Sequence, residues 1–443
     1  MPAAPDAPAP TAEAAVEKPP GAYAWYVVVI LMLAYTLSFI DRKLPFILVE
    51  SIKADLSLSD TQIGLLTGAM FALVYSTIAI PIATWADRTS RKQMIAWAVF
   101  FWSGLTALGG FAQQFWQLAA SRIGVAAGEA ACTPAAHSMI ADYFKPRFRA
   151  RAIGLYFVGS QLGIVLGLAL GGWVNDLANW RVAMFLCAVP GVLLTLLMLF
   201  TVREPPRAQQ APGASAAELE PARLGETLRA LFRHRTIIHM MIAGLLVSFT
   251  SGGVQAFTPA YIIRTFGLKS SEVGFSYGLT MGAAGALGAL LGGYAGDRLR
   301  RTAPRNALFF VAAGVAIGAP CMLLAFLASN YWAFLALLFV GQVGAMVYAG
   351  PAFATLQSLA EPRMHAVASA VYLFALSGIG LSLGPLVVGM ISDWMVAHGS
   401  ANSLRVALVL AVLPKLWAGI HYVLAGRNLG GTPRSPALSP GSA

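Results

Sequence analysis

Residues 24–49 read AWYVVVILMLAYTLSFIDRKLPFILV, an apolar run interrupted once, by Asp41-Arg42-Lys43. The stretch from Trp25 to Ile40 holds about 16 residues, short of the roughly 20 that a helix needs to cross the hydrocarbon of a bilayer. The three charges therefore lie inside the membrane zone, and the helix continues past them to Val49. Composition agrees with a membrane setting. The chain is 58% hydrophobic and 11% charged, against roughly 25% charged residues in a soluble domain. Such a surplus of apolar surface has no place inside a water-soluble globule.

Further windows of the same kind fall at 61–86, 93–112, 116–140, 150–174, 180–201, 237–263, 271–296, 306–327, 332–357, 366–392 and 404–425. They predict an all-α polytopic membrane protein of twelve transmembrane helices. Residues 1–23, rich in Ala and Pro, read as a disordered tail, because Asp6, Glu13 and Glu17 against Lys18 give the wrong charge for a signal peptide. Residues 202–236 carry four prolines and six arginines and are too polar to span, so they form a linker between an N-terminal bundle at 24–201 and a C-terminal one at 237–425. Residues 426–443 are a second tail.

Basic residues fix the orientation, since Lys and Arg accumulate in cytoplasmic loops. With the N-terminus inside, 21 of the 30 lie in cytoplasmic segments, 5 in the opposite loops and 4 within spans. Both termini are expected to be cytoplasmic, in a multi-pass protein of the cell (inner) membrane. The net charge of +11 is thus a matter of topology and implies no nucleic-acid partner. Cys132, Cys187 and Cys321 sit in apolar runs without metal-ligand spacing, so neither disulfides nor a metal is expected, and no cofactor is implied.

The two halves repeat one another. Asp87-Arg88 after the second span matches Asp297-Arg298 after the eighth at an offset of 210 residues, and Gly163, Gly167, Gly172 and Asp176 match Gly380, Gly384, Gly389 and Asp393 at 217. The loop Ala83-Thr-Trp-Ala-Asp87-Arg88-Thr-Ser-Arg91-Lys92 resembles the signature of the major facilitator superfamily, although both of its glycines are replaced. That resemblance implies two six-helix bundles with a cytoplasmic gate at Asp87, Arg88, Arg91, Asp297 and Arg298. Glycines four apart at 159, 163, 167 and 171, and at 288, 292 and 296, mark close helix contacts. By the same resemblance such faces are expected between the bundles.

Ionisable groups at membrane depth are costly and usually functional. At 1.5 Å per residue, Asp41 lies about 12 Å from the outer end of its helix, Arg122 about 9 Å and Glu129 about 20 Å along the fourth span. Asp41 and Arg122 are expected to pair. Glu129, among Val125, Ala126, Ala130 and Ala131, is the candidate proton carrier; the bland alternative is a static ion pair between the first and fourth helices. Arg42 is either a donor to a phosphate head or a partner for Asp41 or Glu50. Spans seven to eleven hold no charge away from their ends, so Thr250, Gln255, Tyr348 and Tyr372 are the neutral groups expected at the cavity. A charged wall facing an apolar one suits an amphipathic solute. Lys415, in the last span, reads as a snorkelling side chain.

Four segments resemble the Spinster family of lipid transporters: Phe39-Ile-Asp41-Arg42, Ala86-Asp-Arg-Thr-Ser-Arg-Lys92, Ser121-Arg-Ile-Gly-Val-Ala-Ala-Gly-Glu-Ala130 and Val202-Arg-Glu-Pro-Pro-Arg207. Ile123 departs from the family's glycine in the third. The resemblance covers the first 207 residues and implies transport of sphingolipids or lysophospholipids. It places Asp41, Arg122 and Glu129 in the proton machinery, and Arg42, Arg122 and Glu129 with the four neutral residues around the substrate. The expected function is proton-coupled carriage of a lipid-like molecule by a monomer whose other partners are protons and membrane lipids. A drug or organic-anion transporter and an uncoupled lipid scramblase are the alternatives. No nucleophile, base and oxyanion-hole arrangement is visible, so an enzyme is not expected.

Overall fold

A computed structural model describes residues 21–86, 89–205 and 224–430, and among these the chain is helical with no strand. The first six spans are α1 (Ala22–Leu56), α2 (60–86), α3 (Arg91–Gly109), α4 (115–143), α5 (Pro146–Leu177) and α6 (Trp180–Thr201). A short helix, α7 (Leu224–Arg233), precedes α8 (Arg235–Phe266), α9 (Ser270–Thr302), α10 (Pro304–Leu327), α11 (331–359), α12 (365–397) and α13 (Ser403–Gly430). Setting the short α7 aside, ten of the twelve remaining helices are long and apolar enough to cross a membrane by length and composition alone. The two that fall short have clear reasons. α3 opens on Arg91-Lys92-Gln93, and α4 carries Arg122 and Glu129 and breaks between Glu129 and Cys132.

Helix ends follow from local chemistry. Ser59 opens α2 with a capping box, its hydroxyl accepting from Gln62 N at 3.2 Å while Gln62 returns a side-chain acceptor to Ser59 N at 2.9 Å. Asn179 and Asn330 cap α6 and α11 in the same way, each accepting at 3.0 Å from the amide three residues on. The sequence repeat is visible in three dimensions. α4 breaks after Glu129 and α11 after Met346, again 217 residues apart. Two π-helical segments, Leu65–Ala69 in α2 and Phe374–Gly380 in α12, occur in helices that pack on each other across the bundles.

The outer surface is apolar where lipid would lie. Trp116, Trp173, Trp332 and Trp394 are exposed near the end opposite the termini, and Tyr23, Trp97 and Tyr294 lie toward the end that bears them, the distribution expected of interfacial aromatic belts. We call these the outer and inner ends.

The glycine stripes correct one expectation. Gly159, Gly163, Gly167 and Gly171 lie against Met32, Thr36, Ile40 and Leu44 of α1, and Gly288, Gly292 and Gly296 against Val343, Val347 and Pro351 of α11. Both stripes thus join helices within a bundle. Spacing alone marks a close approach but not the partner. Between the bundles stand other glycines: a methyl group at Gly172 would overlap the Ser270 carbonyl, one at Gly274 that of Leu168, one at Gly64 that of Pro385 and one at Gly389 that of Asp60. These contacts relate α5 to α9 and α2 to α12 in a similar manner, as the repeat requires.

Candidate functional site

Four charged side chains meet in the first bundle at the level where α4 breaks. Arg42 Nε donates to Glu129 Oε2 at 2.6 Å, and Ser38 Oγ, one helical turn before Arg42, donates to the same oxygen at 2.7 Å. Glu129 is 1% exposed and Asp41 2%, so both are removed from bulk solvent. Arg122 Nη1 reaches α1 at the backbone carbonyl of Asp41, 3.1 Å away, and not at its carboxylate. The expected Asp41–Arg122 pairing is therefore replaced by a main-chain contact. The ion pair that joins α1 to α4 is Arg42–Glu129. Geometry explains the exchange. Successive helical residues project about 100° apart, so of Asp41 and Arg42 only one side chain can face Glu129.

The cluster is incompletely satisfied. Glu129 Oε1 and Arg122 Nε are buried without a hydrogen-bond partner, and the Asp41 carboxyl has the neutral side chains of Thr106 and Trp102 beside it. Buried polar atoms left open in this way are expensive, and they concentrate where protons or ligands come and go. Aromatic rings supply part of the compensation. The Arg42 guanidinium lies 4.4 Å from the Tyr75 ring centre, 5.0 Å from Phe39 and 5.2 Å from Phe71, and Arg122 shares the Phe71 ring at 5.0 Å.

The neutral residues proposed for the cavity are not gathered in one place. Gln255 Oε1, on α8, accepts from Lys43 Nζ at 2.7 Å and is a direct link from the second bundle to the charged segment of α1. Thr250 is fully buried and gives its hydroxyl to the Ala411 carbonyl at 2.8 Å, tying α8 to α13. Tyr348 and Tyr372 belong to a core cluster with Ala352 and Leu376 toward the inner end of the second bundle, and the Tyr372 hydroxyl is unpaired.

Lys415 differs from its sequence reading. It is fully buried, with Nζ 3.0 Å from the Gly341 carbonyl and 4.0 Å from Met322 Sδ. Twelve residues separate it from the start of α13, about 18 Å of helix, so it is too deep to snorkel.

At the outer end the bundles are tied by groups that sequence reasoning left without a role. Arg264 of α8 bridges Glu50 on α1 (2.7 Å) and Asp60 on α2 (3.1 Å), and Lys53 joins Asp60 at 2.5 Å. The Asp393 carboxylate at the end of α12 accepts from Asp60 N at 2.9 Å, Thr61 N at 2.8 Å and Thr61 Oγ1 at 2.6 Å, seated on the N-terminus of α2. Asp176 of α5 does the same for α9, accepting from Ser271 N at 2.7 Å. The repeated pair Asp176 and Asp393 is thus a pair of helix caps exchanged between bundles. Its sequence signal, an aspartate at matched positions 217 residues apart, was legible, but the partners, Asp60-Thr61 and Ser271, were not.

At the inner end no such tie between bundles is present among the described residues. Asp87 and Arg88 lie outside the described residues. Arg91, 2% exposed, pairs with Asp142 of α4 and with Glu204 (2.9 Å) and donates to the Pro205 carbonyl at 3.0 Å, tying the chain that leaves α6 to the first bundle. Asp297 and Arg298 are exposed, and Arg298 touches Tyr294 of its own helix at 3.4 Å. The bundles are thus tied together at the outer end.

That arrangement can be compared with known proteins. The family model of the Major Facilitator Superfamily matches residues 31–385. The chain belongs to the major facilitator superfamily. Its sequence is 35% identical over 91% of the chain, and 92% of the relative, to an "MFS-type efflux pump" of Mycolicibacterium smegmatis. It is 27% identical over 83% of the chain to "Protein spinster homolog 1" of Bos taurus, covering 72% of that protein. Among solved structures, a bacterial homologue of the human lysosomal transporter Spinster, in an inward-facing and unoccupied conformation, superposes with a TM-score of 0.85 at 30% identity, covering 94% of this chain and 99% of that one. The protein is accordingly a multi-pass membrane transporter of the Spinster type with the twelve-helix facilitator fold. The second half, where the sequence reading found only a generic bundle, superposes as part of the same structure.

Proposed function

We propose that this facilitator is a proton-coupled carrier of an amphipathic lipid, a sphingosine 1-phosphate-like sphingolipid or a lysophospholipid, moved by alternating access. The observation that supports the proposal is the Arg42–Glu129 ion pair with the buried Asp41 carboxyl one residue away from Arg42. A proton arriving at Glu129 removes the charge that holds Arg42. The guanidinium, already 19% exposed against 0% for the Glu129 side chain, is then free to take a substrate's head group, and Asp41 offers a second proton site in the same helix turn. Arg122, fixed on the Asp41 carbonyl, keeps α1 and α4 in register while this exchange occurs. The two bundles, 24–201 and 237–425, are the bodies that rock, with Arg91 and Asp297-Arg298 re-forming an inner latch in the opposite state. Both termini and the linker lie in the cytoplasm and the protein acts as a monomer in the inner membrane. Gln255 and the half-buried Tyr348 belong to the wall along which the substrate travels, while Thr250 and Tyr372, buried within the second bundle, serve its packing.

Uptake of labelled lysolipid into proteoliposomes under an imposed pH gradient tests this reading. Wild type is expected to respond to the gradient, and Glu129→Gln to lose that response at least tenfold, as is Asp41→Asn. Gradient-driven uptake at the wild-type level in both variants would sink the proton role. A second reading, export of drug-like amphiphiles, is favoured by the mycobacterial efflux relative; it predicts that cationic dyes compete with lysolipid for the same path.

A further inference from the structure

Lys43 has no place in the reading above. It projects from α1 next to the Arg42–Glu129 pair and toward the second bundle, half-buried, its Nζ 4.5 Å from the Phe46 ring centre and 2.7 Å from Gln255 Oε1. An ammonium has three donors and a neutral amide oxygen satisfies one. Gln255 is the hydrogen-bond acceptor Lys43 meets among the described residues, and no carboxylate pairs with it there. The neighbourhood sharpens the point. Arg42, Lys43 and Arg122 set three positive charges against the two acids Asp41 and Glu129, and Arg42 is already committed to Glu129. A buried excess of positive charge is costly unless an anion joins it.

We propose that Lys43 is the anion-selecting residue of the central site: its Nζ takes the phosphate or carboxylate of the substrate, displacing or sharing the Gln255 amide. This rests on the reading that the site carries an amphiphile, and it adds that the head group must bear a negative charge. Because Lys43 belongs to one bundle and Gln255 to the other, arrival of the anion also acts on a hydrogen bond that spans the two.

The test is ligand-induced thermal stabilisation of the full-length protein in a neutral detergent, with lysophosphatidic acid, monooleoylglycerol (the tail without the charge), glycerol 3-phosphate (the head without the tail) and inorganic phosphate. Wild type is expected to bind lysophosphatidic acid at least tenfold more tightly than monooleoylglycerol. Lys43→Gln is expected to lose that preference while still binding monooleoylglycerol, which shows the variant folded, and Lys43→Arg to keep it. Gln255→Leu removes the link but leaves the ammonium, so its preference for the anion is expected to be kept or raised. A Lys43→Gln protein that still prefers the anion tenfold overturns the assignment, whatever lipid it carries. Binding of glycerol 3-phosphate or inorganic phosphate alone, lost in Lys43→Gln, would instead uphold the assignment and remove the lipid.

Discussion

The break in α4 follows a glutamate and the matching break in α11 follows a methionine, and that difference runs through the two bundles. The first buries Asp41, Arg122 and Glu129 in contact with Arg42, each charge near another of opposite sign. Among the described residues the second buries the cation Lys415 against a backbone carbonyl and a thioether, and His421 beside His239, their Nδ1 atoms 2.9 Å apart. The inner ends differ in the same sense. Arg91 is clasped by Asp142 and Glu204, while Arg298 lies open. A duplicated scaffold has thus kept its helix geometry in both halves, while among the described residues the acid–base ion pair at membrane depth stands in the first. Coupling chemistry needs groups that respond to each other, and the first bundle brings a carboxylate and a guanidinium together.

The largest expected effect separates a paired charge from an orphaned one. Arg42→Met leaves Glu129 buried with Ser38 as its remaining partner, and breaking a buried pair from one side costs about 3–5 kcal/mol. The double variant Arg42→Met/Glu129→Gln removes both charges and is expected to regain most of that loss. Thermal unfolding of the two variants in detergent checks it. If the single variant unfolds with the wild type, the pair does not hold α1 to α4.

Lys415 sharpens the comparison from the other side. A lone cation at this depth costs about 2.5–3.5 kcal/mol on insertion scales, of which the Gly341 carbonyl returns part. Lys415→Met keeps the volume and drops the charge, so a gain of about 1–2 kcal/mol is expected, with transport kept. A rise in the unfolding temperature together with a loss of transport would show instead that the second bundle also uses its charge.

How much of this was legible beforehand follows the same line. Twelve spans and the repeat could be read because hydrophobic length and glycine spacing are properties of single segments. Asp41, Arg122 and Glu129 could be named because charge in an apolar run stands out in one dimension. What could not be read was the partner: Arg42 and not Asp41 faces an oppositely charged side chain, and the Gly159–Gly171 stripe packs on α1 and not on the other bundle. Pairing depends on the rotation of one helix about its axis, which a run of residues without polar alternation does not encode. Lys415 was misread for a related reason. Depth was judged from the charge rather than from its distance to the helix end, which puts it near the middle of α13.

The smallest expected effect lies at the inner clasp of the first bundle. Partial burial pushes the Glu204 carboxyl up, but the Lys92 amide, the Arg91 guanidinium and the Ser90 hydroxyl outweigh it and hold it below the usual carboxylate range. A carboxylate whose folded value is depressed stabilises the fold fully above its unfolded value near 4.5, and that contribution fades as pH falls through the lower, folded value. At 32% side-chain exposure solvent screens the clasp, so its worth is at most about 1 kcal/mol. Glu204→Gln should therefore lower the unfolding temperature slightly at pH 7 and hardly at all once the wild-type carboxyl is protonated. No matching carboxylate clasp holds Arg298 among the described residues, so a substitution there should leave the pH profile of stability unchanged. An acid-dependent difference of equal size at both inner ends would mean that the asymmetry between the bundles does not extend to the loops there.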